Sequence, residues 1–116
     1  MYRNLFKHWL SVLVLTGIFI PQVQAEISSE HYQLVSRMGE LNGVALSCRY
    51  FQQTKKIKAG LIASLPKRRE LGQVFDDKTN ESFLAFVQAQ SSCPSPAEFA
   101  VEVDKALEAL SAGFAE

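Results

Sequence analysis

Two thiols and one imidazole are the side chains beyond residue 25 whose types could carry chemistry: Cys48, Cys93 and His31. Two thiols can form a structural disulfide, act as a redox couple, ligate a metal or pair with another chain. Redox couples usually stand as Cys-x-x-Cys, so that one thiolate can attack the other sulfur. Cys48 and Cys93 are far apart in the sequence, and the choice among the remaining outcomes depends on the compartment.

The first 25 residues indicate that compartment. Arg3 and Lys7 precede an apolar run over 9–20, and Pro21 ends that run. This pattern is typical of a secretory signal peptide, with cleavage predicted after Ala25. The alternative is an uncleaved anchor, but a helix of about a dozen apolar residues spans only ~18 Å of a ~30 Å hydrocarbon core. We therefore expect a signal peptide over 1–25, a mature domain over 26–116, and no stable membrane insertion after cleavage.

Export to the periplasm, or secretion, favours a disulfide between Cys48 and Cys93, because such compartments are oxidising. Closing a loop of about 46 residues would stabilise the domain by roughly 4 kcal/mol in the chain-entropy model. A metal site, a free redox thiol and an intermolecular bond remain the alternatives. For a domain of this size, one cross-link is a large part of the total stability.

An enzyme is not predicted, since His31 would have to meet a serine or cysteine that no known motif marks. His31 is interpreted as a capping-turn or surface residue. The sequence predicts no cofactor and no metal site, because its scattered carboxylates have no recognised ligand spacing and 76–81 lacks the pattern of a calcium loop.

Charge excludes another class of partner. Removing Arg3 and Lys7 from the 12 basic residues leaves ten against 12 acidic ones, a net charge of about −2. This balance predicts neither nucleic acid binding nor a polybasic membrane anchor.

Apolar residues recur at helical spacing in four to five stretches, and no stretch alternates like a strand. The first helix is predicted to follow Ser28 or Ser29. It contains Gly39 and Gly43, which indicate either a second helix at close approach or a kink between two shorter helices. Its apolar face comprises Leu34, Val35, Met38, Leu41, Ala45 and Cys48.

The later helices have weaker boundaries. Thr54 is the predicted N-cap of a second helix that ends before Pro66. A short helical turn is expected over 67–75 and a turn over 76–80. A capping box over 95–98, with Pro at the first helical position, begins the last helix. The second helix should bury Ile57, Leu61, Ile62 and Leu65, and a helix from about residue 80 should place Phe83, Leu84, Phe86 and Val87 at the centre of the core. The predicted fold is an all-α, single-domain bundle of four to five helices with one disulfide.

Charges are segregated along the chain. Residues 49–69 contain seven basic residues and no acid, whereas 70–116 contains nine acids and two lysines. These could be two solvated faces that attract each other within the fold, or the basic face could bind an acidic protein, anionic lipid or polysaccharide. Tyr50 and Phe51 could anchor a partner or belong to the core. The candidate partner-binding residues are Arg49, Tyr50, Phe51, Lys55, Lys56, Lys58, Lys67, Arg68 and Arg69.

The layout of a helix ending in Leu46-Ser-Cys48-Arg-Tyr50, a short helical middle, and Cys93 before a final amphipathic helix resembles that of pilotin-like proteins of type II secretion. The resemblance covers most of the mature chain as architecture. It implies a disulfide-bonded helical protein that holds a helical segment of an outer-membrane partner in a groove.

Together these features predict a non-catalytic periplasmic protein that binds another envelope protein as an assembly factor or chaperone. The alternative is an immunity or inhibitor protein that blocks a toxin or a cell-wall hydrolase. The neighbouring genes would separate the two, because an immunity protein is usually encoded beside its toxin.

Overall fold

The computed structural model describes residues 17–18 and 26–115, so the predicted signal peptide lies outside the described residues except for Gly17 and Ile18. Within the described part the chain forms four helices and no strand. Their bounds are α1 Ser29–Ser47, α2 Phe51–Ser64, α3 Arg69–Gln88 and α4 Pro96–Phe114. The all-α prediction is confirmed. The described helices include none long and apolar enough to cross a membrane.

Helix α1 is the centre of the fold because it alone packs against each of the other three helices. No Cα atom of α3 lies within 8 Å of one in α2 or α4. Helices α2 and α4 pack against each other and against α1. The core is shared by all four helices and consists of Val35, Met38, Leu41, Ala45, Ile57, Leu61, Leu71, Phe75, Phe99, Val103 and Leu110.

The glycines of α1 allow α3 to approach closely. A Cβ atom on Gly39 would lie 2.8 Å from the Phe75 carbonyl oxygen, and one on Gly43 would lie 2.7 Å from the Phe83 nitrogen. Only glycine leaves room for backbone at these distances. The close-approach reading of the two glycines is therefore confirmed. Gly39 faces Phe75 and Gly43 faces Phe83, so α1 and α3 run parallel.

Two helix starts follow from their N-cap serines. The Ser28 hydroxyl accepts a hydrogen bond from the His31 backbone N–H at 3.2 Å, and His31 Nδ1 accepts one from the Ser28 N–H at 3.3 Å. The Ser95 hydroxyl accepts from the Glu98 N–H at 3.2 Å, with Pro96 at the first helical position. Both serines satisfy backbone donors that a helix start leaves free.

The ends of α1 and α3 are alike. Each passes through a residue in the left-handed region, Arg49 at φ 61° and Gln90 at φ 51°. After each, the chain folds back, with the Tyr50 N–H donating to the Ala45 carbonyl at 2.8 Å and the Ser91 N–H to the Phe86 carbonyl at 3.1 Å. This is the Schellman arrangement, in which glycine is the usual left-handed residue.

The predicted start of α2 is wrong. The helix begins at Phe51, and Thr54 lies buried inside it instead of capping it. The reason is the tight turn at the end of α1, which leaves Tyr50 as the N-cap residue without a side-chain hydrogen bond.

The predicted division of α3 is also wrong, because residues 76–80 are helical rather than a turn. Thr79 is buried against α1, where its Oγ1 accepts a hydrogen bond from Asn42 Nδ2 at 3.2 Å. Packing along α1 thus outweighs the weak helix propensity of Asp, Thr and Asn.

Two burial predictions fail for one reason. Ile62 is 84% exposed, and Phe83, Leu84 and Val87 are 37%, 54% and 53% exposed. Each lies on a helix that has neighbours on one side only, since α3 packs on α1 alone and α2 lies at the outside of the α1–α4 pair. The second half of α3 is therefore an exposed apolar surface rather than the centre of the core.

Candidate partner-binding surfaces

An open groove lies between α3 and α4, with α1 as its floor. Leu41 and Val44 lie on the floor, Phe86 on the α3 wall and Phe99 on the α4 wall. The groove has a volume of about 650 Å³, within the ~300–1,000 Å³ of ligand-binding clefts. It exists because α3 and α4 both pack on α1 but not on each other.

Charged residues surround the apolar lining. Arg37 of α1 pairs with Glu40 at 3.5 Å and with Glu102 of α4 at 3.9 Å. Lys78 pairs with Glu81 at 2.9 Å, and this hydrogen bond, helped by the charge of Glu81, raises the pKa of Lys78. All of these side chains are substantially exposed, so the pairs contribute little to stability. An apolar floor with a charged rim is the usual anatomy of a protein-binding surface.

The exposed end of α3 carries a second apolar area, which lies outside the groove. Phe83, Leu84 and Val87 lie on the part of α3 that also supplies Ala85 and Phe86 to the groove wall. A patch of large apolar side chains on the surface of a small domain marks a site of interaction more often than scattered single residues do. Sequence reasoning missed it because apolar density alone does not say which side of a helix has a neighbour.

The seven basic residues of segment 49–69 lie in different environments. Lys56 forms an ion pair with Asp104 of α4, and Arg68 pairs with Glu70 at 3.2 Å. These two ion pairs support the interpretation that the basic and acidic parts of the chain attract each other within the fold. The remaining basic side chains are exposed; they are Arg49, Lys55, Lys58, Lys67 and Arg69. The seven charges therefore do not form one surface, although Lys55 and Lys58 share a side of α2.

The two aromatic candidates, Tyr50 and Phe51, also differ in their environments. Tyr50 is half-buried, its ring lies 5.5 Å from that of Phe99, and its hydroxyl donates a hydrogen bond to the Pro94 carbonyl at 2.5 Å. Tyr50 thus serves the fold, whereas Phe51 is 56% exposed and available to a partner.

The disulfide joins Cys48, at the end of α1, to Cys93, in the loop before α4, with Cα atoms 5.8 Å apart. The Tyr50 hydrogen bond to Pro94 lies beside it. Together they hold the α1–α2 corner against the loop that joins α3 to α4. Because α3 contacts only α1, this loop and the α1 interface fix the position of α3, and with it the width of the groove.

His31 closes the opposite end of the fold. Its Nδ1 accepts from Ser28, so Nε2 carries the proton and donates to the Gly113 carbonyl at 2.9 Å. The ring also stacks on Phe114 with centroids 4.3 Å apart. Nδ1 thus completes the N-cap of α1 and Nε2 joins α1 to α4, so His31 has the capping role that the sequence indicates. A second cavity of about 680 Å³ lies beside it, between Ile27, Leu65 and Phe114.

Among the described residues no three His, Cys, Asp or Glu side chains are close enough together to hold a metal ion. Three buried side-chain oxygens there have no hydrogen-bond partner, those of Asn42, Gln53 and Thr54, and none of the three lines the groove.

Comparison of the chain with protein-family models, curated proteins and solved structures finds no significant match to any of them.

Proposed function

We propose that the chain is an exported, non-catalytic protein of the periplasm that binds a helical segment of another envelope protein, as an assembly factor or chaperone. The observation that carries this proposal is the groove between α3 and α4, which has an apolar floor and a charged rim. An amphipathic helix needs such a surface to bury one apolar face. The disulfide is the observation that supports an oxidising compartment.

The groove has the form that this role requires. Leu41 is buried on its floor and Phe99 on its α4 wall, while Phe86 is half-buried on its α3 wall and can gain further contacts from a bound helix. The ion pairs of Arg37 and Lys78 lie at the margin, where they can set the orientation of a partner at little cost in affinity.

A photo-crosslinking amino acid at Ala85 tests the proposal in living cells. Ala85 lines the groove, whereas Ala112 is exposed on α4 outside it, so Ala112 provides the matched control position. We expect one envelope protein to be captured from position 85 and not from position 112. Ala85→Arg should abolish co-purification of that protein, and Ala112→Arg should not.

The identity of the captured protein decides between the two roles. A helical partner whose assembly fails when this chain is deleted supports the assembly function. A toxin or cell-wall hydrolase that the chain inhibits would assign the immunity role instead. Equal capture from both positions, or none from position 85, would show that the groove is not a binding site.

A further inference from the structure

One side of α2 carries exposed apolar residues at its two ends and exposed lysines between them. Phe51, Lys55, Lys58 and Ile62 follow the spacing i, i+4, i+7 and i+11, which places them on one side of a helix. We call these four residues the α2 outer face. All four are exposed, Ile62 by 84% and Phe51 by 56%. The buried residues of the same helix, Thr54, Ile57 and Leu61, lie on an adjacent side of the helix and pack into the fold.

The charge around this face has one sign. No acidic residue occurs between Arg49 and Arg69. Asp104 pairs with Lys56 and Glu70 pairs with Arg68, and neither ion pair includes a residue of the face. Lys55 and Lys58 lie at its centre. The local excess of positive charge persists although the mature chain as a whole is slightly acidic.

We infer that the α2 outer face docks on the headgroup layer of an anionic phospholipid membrane. In this arrangement the axis of α2 lies parallel to the membrane, Phe51 and Ile62 enter the interface, and the two lysines contact lipid phosphates.

The spacing of the apolar residues favours a membrane over an acidic protein. Phe51 and Ile62 are eleven positions apart, about 16 Å along the helix. Protein interfaces concentrate their binding energy in a contiguous central cluster that fills pockets on the partner. A bilayer surface accepts isolated side chains wherever they protrude, and it presents phosphates between them. A single convex helix with apolar ends and a basic middle fits the bilayer better.

Docking through α2 is independent of the groove, because none of the four residues lines it. The face and the groove can be occupied together, which would hold a bound partner near the membrane. Binding through two lysines and two apolar side chains is weak and reversible.

Vesicle binding by the exported protein tests the inference. The full chain is expressed, the exported product is purified, and its N-terminus is read by mass spectrometry, because the apolar run over 9–20 would bind lipid by itself if retained. The probes are vesicles of phosphatidylethanolamine with phosphatidylglycerol, and neutral vesicles of phosphatidylcholine. We expect sedimentation with the anionic vesicles only, and release at high salt, since the Debye length falls from about 10 Å at 0.1 M to about 3 Å at 1 M.

Matched lysine variants locate the surface. Lys58→Glu should lower the partition coefficient at least about five-fold, which corresponds to about 1 kcal/mol per lysine at an anionic surface. Lys55→Glu combined with Lys58→Glu should lower it at least about 25-fold. Lys105→Glu makes the same charge change at an exposed position of α4 and should have little effect on the partition coefficient. Equal weakening by Lys58→Glu and Lys105→Glu would show that net charge alone acts, and would overturn the inference.

A tryptophan reports insertion directly. Trp9 is the only tryptophan in the chain, so Phe51→Trp gives a single emitter once the signal is removed. We expect its emission to shift to shorter wavelength on the anionic vesicles and to be quenched by brominated lipid. Wild-type protein that ignores anionic vesicles but binds an acidic envelope protein through Lys55 and Lys58 would assign the face to a protein partner and refute the lipid proposal.

Discussion

Replacing Gly43 with alanine should lower the free energy of unfolding, although the same change stabilises most helices. At an open helical position Gly→Ala gains about 1 kcal/mol. At Gly43 the new Cβ would lie 2.6 Å from Ser82 Cβ and 2.7 Å from the Phe83 nitrogen. The Phe83 nitrogen is backbone, so α3 itself must move, and overpacking of this kind costs about 1–3 kcal/mol.

The displaced serine adds to this cost. The Ser82 hydroxyl donates to the Glu40 carbonyl at 2.7 Å, a hydrogen bond that contributes about 1 kcal/mol. The sum is a net destabilisation of about 1–3 kcal/mol for Gly43→Ala. In a domain of this size each kcal/mol lowers the melting temperature by about 4–8 °C.

Gly72 provides the matched control, because it lies in α3 and a Cβ atom at this position would have no neighbouring atom within 4 Å. Gly72→Ala should stabilise the protein by about 0.5–1 kcal/mol. Urea unfolding followed by far-ultraviolet circular dichroism, with the disulfide intact, measures both variants. If Gly43→Ala stabilises the protein as much as Gly72→Ala does, α1 and α3 are not in close contact and the described packing is wrong.

Four further substitutions can be measured in the same unfolding assay. Cys48→Ser should lower the free energy of unfolding by about 2–5 kcal/mol, and the wild-type mass should be lower than that of the dithiol by two hydrogen atoms; free thiols at both cysteines would contradict the disulfide. Arg49→Gly should raise stability by about 0.5–1 kcal/mol, because glycine adopts the left-handed conformation at φ 61° without a Cβ clash; a loss would mean that the arginine side chain contributes more than the strain. Tyr50→Phe should cost about 0.5–1.5 kcal/mol by removing the hydrogen bond to the Pro94 carbonyl, and an unchanged midpoint would place that hydroxyl in water. Ser95→Ala should cost about 0.5–2 kcal/mol through loss of the α4 cap, and a neutral result would show that Pro96 alone starts the helix.

Helix caps could be predicted from the sequence because they depend only on residues a few positions apart. Ser95 was predicted as a cap, and Ser28 as one of two candidates with Ser29, because a hydroxyl before an apolar-periodic segment satisfies the free N–H groups of a helix start wherever that helix lies. The disulfide was predicted from the predicted signal peptide and from the presence of two cysteines. The two glycines of α1 were compatible with either close helix packing or a kink. Their contacts with Phe75 and Phe83 show that close packing is correct.

The candidate surfaces were less predictable. The basic residues were visible in the sequence, but Lys56 and Arg68 turn out to be engaged with acids while Lys55 and Lys58 face outward. Tyr50 and Phe51 are neighbours in the sequence but differ in burial, because the turn that ends α1 directs the Tyr50 ring towards Phe99 whereas Phe51, the first residue of α2, is exposed to solvent.

The sequence by itself determined the helical class, the cap of the last helix and the charge distribution, because each depends on residue type and short-range spacing. It also predicted the cross-link, because a predicted export signal leaves Cys48 and Cys93 one possible intramolecular pairing. Only the tertiary structure decided that 76–80 continues α3, that the apolar end of α3 is exposed, and that a groove remains between α3 and α4. Those features depend on which helix packs against which. Periodicity shows that a helix has an apolar face, but the identity of its neighbour is set by contacts between residues distant in the chain.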